Sequence, residues 1–459
     1  MNNKQTRRNF LKTGSLLTGS ALISNHSVWA QTSSNEKLKV ALIGGGGIAE
    51  TAFGNCAKEN VVAVADVDQK QGAAGFQKFP DAKQYKDFRK MLDAHEKELD
   101  AVIVSTPDHT HFVATYDAMQ RGIAVQTQKP LTHNLWQART LQAAAKKFNV
   151  QTVMGNQGHT MEGMKLIKDW VKADLAGEIT EVHAWTNRTT TNISNSQNTS
   201  PKYIDPVPDH VDWDLWQGPT GPSKMINGIC PKGWRWWWAY GLGGLGDIGC
   251  HTLEVPIFSM DLGYPKSVVC DKSINFSSQY GKKAKADAMT YIYTFERPGK
   301  PDLPVYWYEG GHLPEMPPSL VDEKGKLKEK VAGGGCYMKG KSNTIIAQGM
   351  RPTSPKMDQD WNEIRRNLPP KVTPRSIGGG PIGELFAAIR GEIDQPGSNF
   401  DHAVPLTESV ILGTIAVRSG KTVEYLPETM TFKDASLNEY VQEPVRSGWE
   451  MGEGLIKVG

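Results

Sequence analysis

Three side chains in this 459-residue chain have the types and spacing needed to take a proton from an alcohol and steady the charge left behind. Asp247 and His251 lie four residues apart in the run from Leu245 to His251, where Gly246 and Gly249 mark a predicted helix start. That spacing puts both side chains on one helix face. A neutral imidazole, with an ordinary pKa of about 6.5, suits removal of a hydroxyl proton. Lys129, in Gln128-Lys129-Pro130-Leu131, offers an ammonium that can hydrogen-bond the same oxygen and offset its developing negative charge. Asp247 can anchor a neighbouring hydroxyl or hold the imidazole in position. Oxidation of a secondary alcohol needs this set and, in addition, an acceptor for the hydride.

The acceptor is indicated by Gly44-Gly45-Gly46-Gly47-Ile48-Ala49, between a predicted strand (Lys39–Ile43) and a predicted helix. Gly44 permits the tight turn, Gly46 permits close backbone approach to a pyrophosphate, and the small Ala49 lets the helix pack on the strand. Asp66 ends the next predicted strand (Val61–Val67), where a carboxylate binds ribose hydroxyls and repels a 2′-phosphate. The expected cofactor is therefore NAD, not NADP. His109 and His111 form a His-x-His pair without an evident third ligand, and the five cysteines include no C-x-x-C pair, so no metal is expected.

The elements that must position these residues fall into two textures. From residue 37 to 156, short apolar strands at Ala101–Ser105, Ile123–Thr127 and Val150–Met154 alternate with helices such as His111–Arg121 and Leu135–Phe148. This pattern implies an α/β, doubly wound Rossmann domain with a parallel sheet. Over residues 157–459, after a helix at Glu162–Ala173, longer strands (Thr180–Asn187, Ser267–Asn275, Ala288–Glu296, Val305–Glu309) follow one another without intervening helices. They suggest an α+β domain with a large open, mainly antiparallel sheet. Residues 189–232 read as a loop over that sheet, and residues 310–381 as irregular.

In order, Ser105-Thr106-Pro107-Asp108 with His111, then Gln128-Lys129-Pro130-Leu131, then Asp247 and His251 resemble the glucose–fructose oxidoreductase and inositol dehydrogenase (Gfo/Idh/MocA) family. The resemblance continues to Phe386–Arg390 and residues 409–420. It implies catalytic roles for Lys129, Asp247 and His251. It also implies cofactor contacts from Gly44, Gly45, Gly46, Gly47, Ile48, Ala49, Asp66, Ser105, Thr106, Pro107, His111, Gln128 and Lys129. The family commonly has a glutamate where this chain has Gln128, which removes a charge beside Lys129. Relatives use the open sheet to form homo-oligomers. Trp234, Trp236, Trp237, Trp238 and Tyr240 precede the Asp247 segment, and Tyr306, Trp307, Tyr308 and His312 form a second cluster. Rings beside hydrogen-bonding groups suit a carbohydrate. Trp237 and Tyr240, with Gln157, His159, Asn187 and Arg188 near the domain junction, are the substrate-contact candidates.

Residues 1–30 read as an export signal: Arg7-Arg8 in a twin-arginine context, a weakly apolar run, and small residues near Ala30. Without that segment the chain has 48 basic against 49 acidic residues, which gives no reason to expect a nucleic-acid partner. The expected partners are the twin-arginine machinery, a small carbohydrate and an unidentified electron acceptor. A periplasmic location would require NAD to be loaded before transport and then retained.

Overall fold

The computed structural model describes residues 36–187, 202–274, 288–328 and 333–459. The export segment and Arg188 lie outside the described residues. Six strands, β1 (Lys39–Ile43), β2 (Asn60–Ala65), β3 (Lys83–Tyr85), β4 (Ala101–Val104), β5 (Ala124–Thr127) and β6 (Thr152–Met154), form a wholly parallel sheet in the order β3-β2-β1-β4-β5-β6. Every residue of β4, β5 and β6 is buried, because helices cover both faces of the sheet.

One face, through Val40, Leu42, Ala101 and Ile103, packs on the Glu50–Cys56 helix and on Gly380–Arg390, which returns from late in the chain. The other, through Ala41, Ile43, Val102 and Val104, packs on the helices Phe88–His95, Asp108–Gln120 and Leu135–Phe148. Strand order reverses between β1 and β4, so a crevice opens there at the carboxyl edge, the usual ligand position in such sheets.

Nine further strands build the second sheet: β7 (Ile179–Thr186), β8 (Ser267–Ile274), β9 (Ala288–Arg297), β10 (Lys300–Glu309), β11 (Gly334–Gly340), β12 (Thr344–Gln348), β13 (Lys356–Met357), β14 (Val423–Leu426) and β15 (Thr431–Phe432). Their order is β13-β12-β11-β7-β10-β9-β8-β14-β15. Only the β10–β7 pair is parallel among those described, so the sheet is mixed and mainly antiparallel. The region expected to be irregular after residue 310 contains β11 to β13. β11 opens on two glycines and then buries four consecutive residues from Gly335 to Met338, so it carries no period-2 alternation to read.

Two expectations fail here. Tyr306, Trp307 and Tyr308 do not form one cluster, since period-2 alternation sends them to opposite faces of β10. Trp307 is in the core, while Tyr306 and Tyr308 stack on His183 across the outer face, with centroids 4.7 and 5.9 Å away. The described part of the expected loop, from residue 202 onward, lies on the Rossmann domain and not over the second sheet. The Gln69 amide donates to the His210 carbonyl, the Asp212 amide donates to the Val67 carbonyl, and His210 Nδ1 meets Asp68 at 3.0 Å. Trp216, Met225, Ile229, Trp234, Trp237 and Tyr240 give this flap a core of its own.

Candidate active site

At the carboxyl edge of β1, Gly44 has φ +92°, and a Cβ there would lie 2.6 Å from the Ser105 carbonyl oxygen. Glycine is required for the turn to pass beside the end of β4. A Cβ on Gly46 would sit 1.9 Å from the Gln71 carbonyl oxygen. Gly46 thus lets the loop after β2 close on the turn. Ala49 is buried beneath the turn and does not reach the cleft. Asp66 accepts the amide hydrogens of Gly45 and Asp68, both at 2.9 Å. Burial raises its pKa to about 6 even though both bonds favour the carboxylate.

The cleft above this turn is lined by Gly44, Gly46, Gly47, Ile48, Asp66, Ser105, Thr106 and Pro107. Its roof is the flap, through Trp216, Cys230, Lys232, Trp234 and Arg235. The hydroxyls of Ser105 and Thr106 are buried without a hydrogen-bond partner, as expected of a loop built to meet a polar ligand. The residues therefore fit a dinucleotide: a glycine turn, a carboxylate at the end of β2, and unsatisfied hydroxyls at the end of β4. His111 acts one step removed. Its ring nitrogens face the carbonyl oxygens of Thr106 and Pro130, each at 2.8 Å, so it ties together the two loops that flank the cleft. His109 points elsewhere, at the Trp216 carbonyl oxygen 2.9 Å away, and anchors the flap.

Lys129 and Asp247, far apart in sequence, meet directly. Lys129 Nζ donates to the Asp247 carbonyl oxygen at 2.5 Å and to Oδ1 at 3.1 Å. The turn carrying Asp247 is a wide π-helical one (Leu245–Gly249), which runs into the short helical turn bearing His251. Such turns recur at functional sites. Two residues missed in the sequence complete the arrangement. Arg235 Nε lies 3.2 Å from Asp247 Oδ1, so that carboxylate sits between two cations. Asn156, fully buried after β6, donates from Nδ2 to the Cys250 carbonyl oxygen at 2.8 Å. This fixes its amide with Oδ1 toward His251 Nδ1, 3.0 Å away. A carbonyl oxygen only accepts, so Nδ1 carries the proton and the lone pair is on Nε2. A neutral amide thereby selects the tautomer that can act as a base.

The substrate-contact candidates divide. Gln157 lines a polar cavity beside Gln128. Trp237 and Tyr240 are buried in the core of the flap, with Tyr240 Oη bonded to Ser223 at 2.8 Å, so they shape the roof without facing the cleft. His159 lies behind the His251 helix, 2.5 Å from Glu254, in a buried network with His402. Asn187 stands exposed at the end of β7 and lines neither cavity described here.

Residues 38–156 match the family model described as "Oxidoreductase family, NAD-binding Rossmann fold", and residues 164–290 match the companion C-terminal alpha/beta domain. The chain belongs to the Gfo/Idh/MocA oxidoreductase family. Its first domain is the NAD(H)-binding Rossmann domain of that family. The chain is 22% identical to glucose-6-phosphate 3-dehydrogenase of Bacillus subtilis over 259 residues, which are 56% of this chain and 63% of that protein. D-apiose dehydrogenase of Paraburkholderia graminis is 29% identical over 134 residues, 28% of this chain and 35% of the relative. The matches thus span less than two thirds of these relatives. Among solved structures, an inositol dehydrogenase homologue of Azotobacter vinelandii, complexed with NADH and myo-inositol, superposes with a TM-score of 0.57 at 16% identity, covering 85% of this chain and 98% of that one. The WlbA dehydrogenase of Bordetella pertussis, in complex with NADH and UDP-GlcNAcA, gives 0.58 at 14% identity, with coverage of 85% and 99%. These likenesses show a shared fold.

Proposed function

We propose that this oxidoreductase oxidises a secondary hydroxyl of a sugar or glycoside with an NAD that it retains, and that it works after export by the twin-arginine route. The observation that carries the reaction class is Lys129, Asp247 and His251 gathered at the carboxyl edge of an NAD-binding sheet, with His251 held in its basic tautomer by Asn156. NAD, held by the glycine turn, Asp66 and the Ser105–Thr106 loop, supplies the hydride acceptor. His251 Nε2 takes the hydroxyl proton. Lys129 donates a hydrogen bond to the same oxygen, and Asp247, between Lys129 and Arg235, accepts from a neighbouring hydroxyl.

Retention is supported by the flap, which is bonded to the loop after β2 and roofs the cleft. Export is supported by Arg7-Arg8 and the segment that follows. The choice of carbohydrate is supported by the named activities of the relatives. The test is to denature purified protein, identify the released nucleotide, and follow nicotinamide absorbance of native protein against a panel of glycosides. Reduction by at least one sugar, abolished in Lys129→Met, is expected. Aglycone release without net reduction would replace oxidation by a redox-neutral cycle, and silence across the panel despite bound NAD would indicate a binding protein. Signal-sequence dependence of periplasmic recovery tests the location.

A further inference from the structure

Gln126 is the one buried amide side chain within the strands of the parallel sheet, since Asn60 on β2 and Gln84 on β3 are exposed. Its neighbours on β5 are apolar or small, and a glutamine there forgoes the packing that a leucine of similar size would give. Neither Nε2 nor Oε1 has a hydrogen-bond partner, and Oε1 of the nearly buried Gln128 has none either. Three orphaned polar atoms in one place are costly unless a ligand completes them.

Their position says which ligand. Gln126 is on β5 and Gln128 directly follows its last residue, and the two-residue spacing of the extended chain turns both side chains to one side. A Cβ on Gly155 would lie 2.5 Å from Gln126 Nε2 and 2.8 Å from Gln128 Oε1. Gly155 follows β6, so both amides reach the carboxyl edge of the sheet, and only glycine leaves them room. They open into the polar cavity lined also by Thr51, Asn55, Gln157 and Arg351. Thr51 stands one helical turn beyond Ile48 of the glycine turn, and Gln128 adjoins Lys129.

We propose that Gln126 and Gln128 form a receptor for a primary carboxamide, that of the nicotinamide ring. Gln126 Nε2 donates to the carboxamide oxygen, and the two Oε1 atoms accept from its NH2. The pairing fixes the rotation of the ring beside Lys129. Paired sugar hydroxyls share the same donor–acceptor chemistry. The cofactor is the better match because the cavity adjoins the glycine-turn helix, and Asp247 and His251 do not line it.

This rests on the NAD assignment, and the test separates the two. Cofactor-stripped protein is titrated with NAD and with ADP-ribose, which lacks the nicotinamide. Gln126→Leu is expected to weaken NAD by about tenfold, the worth of one or two hydrogen bonds, and to leave ADP-ribose unchanged. Gln126→Met, which keeps the length but has no hydrogen-bond donor, should do the same. Without nucleotide the Leu variant should melt no lower than wild type, because it removes an unsatisfied amide from an apolar strand. Equal weakening of both nucleotides, or no change in either, overturns the proposal. A raised KM for the sugar with unchanged NAD affinity reassigns the cavity to substrate and also overturns it. Failure of wild type to bind either nucleotide removes the cofactor assignment itself.

Discussion

Asn156 does for His251 what a carboxylate does in many acid–base pairs, but without charge. A carboxylate at that place would stabilise the imidazolium and raise the histidine pKa. Asn156→Asp should therefore move the acidic limb of the kcat/KM–pH profile to higher pH, by about one unit, while the alkaline limb stays in place. An unmoved acidic limb would mean that the base is not His251. Asp66 gives a second pH dependence with its own sign. Burial raises its pKa from 3.8 to about 6, so the folded protein takes up this proton first as pH falls. With the ionised form proposed to accept the ribose hydroxyls, NAD affinity should hold above pH 6 and decline below it, approaching about tenfold per pH unit. Titrations from pH 8 to 5 check this, and Asp66→Asn should flatten the curve. At this scale the sequence pointed to Lys129, Asp247 and His251 through the motifs that carry the family resemblance, and the fold brings Lys129 to Asp247. Asn156 and Arg235 were not. Asn156 looks like any polar residue after a strand, and Arg235 is hidden among four tryptophans whose bulk suggested stacking. Only the folded turn brings its guanidinium to Asp247.

Among the elements, those bounded by local chemistry were legible to the residue. The helix Leu135–Phe148 begins where the Asn134 side chain accepts the Gln137 amide and ends where Asn149 takes φ +50°. β1 stops at the first glycine. β3, three residues of polar edge strand, has no apolar pattern to read. The flap was misplaced for a different reason. Its tryptophans pack into a small core of their own, and no local rule says which surface that core will rest on. The Asp68–His210 contact and the flanking backbone bonds decide it. Because Trp216 both lines the cleft and stacks on Trp213 at 4.8 Å, Trp216→Ala should loosen the roof without touching Lys129 or His251. Bound NAD should then dissociate at least about tenfold faster in a fluorescence chase, consistent with loss of a buried aromatic. An unchanged rate would show that the flap does not govern retention.

Across the whole molecule, the parallel sheet followed by a mainly antiparallel one was readable from the change in texture near residue 157, because periodicity reports burial on one face or two. How the two halves lock together was not readable, since the contacts join residues far apart in sequence. His159 follows β6, Glu254 stands on the helix that continues from His251, and His402 belongs to the long helix Phe400–Ser419 behind the second sheet. His402 Nε2 lies 2.9 Å from the Glu254 carboxylate that also meets His159. His159 is therefore a buried strut between Glu254 and Lys165 and lines neither cavity. Burial pushes its pKa down to about 4, against the pull of Glu254, so the folded protein resists a proton that the unfolded chain accepts from about pH 6.5 downward. Burial alone would raise the Glu254 pKa, but the charge of His402 and the bond from His159 outweigh it and hold the carboxyl below its usual range. Both groups give the same sign: stability falls as pH descends, first through the window from about 6.5 to 4 and then as Glu254 protonates. The melting temperature should drop by several degrees between pH 7 and 4.5, and His159→Gln, which cannot titrate, should lower the plateau at pH 7 and make the decline shallower. A parallel decline in the variant would place the acid sensitivity elsewhere. Loss of activity in step with melting, while NAD stays bound at pH 7, would show that this strut holds the His251 helix against the sheet.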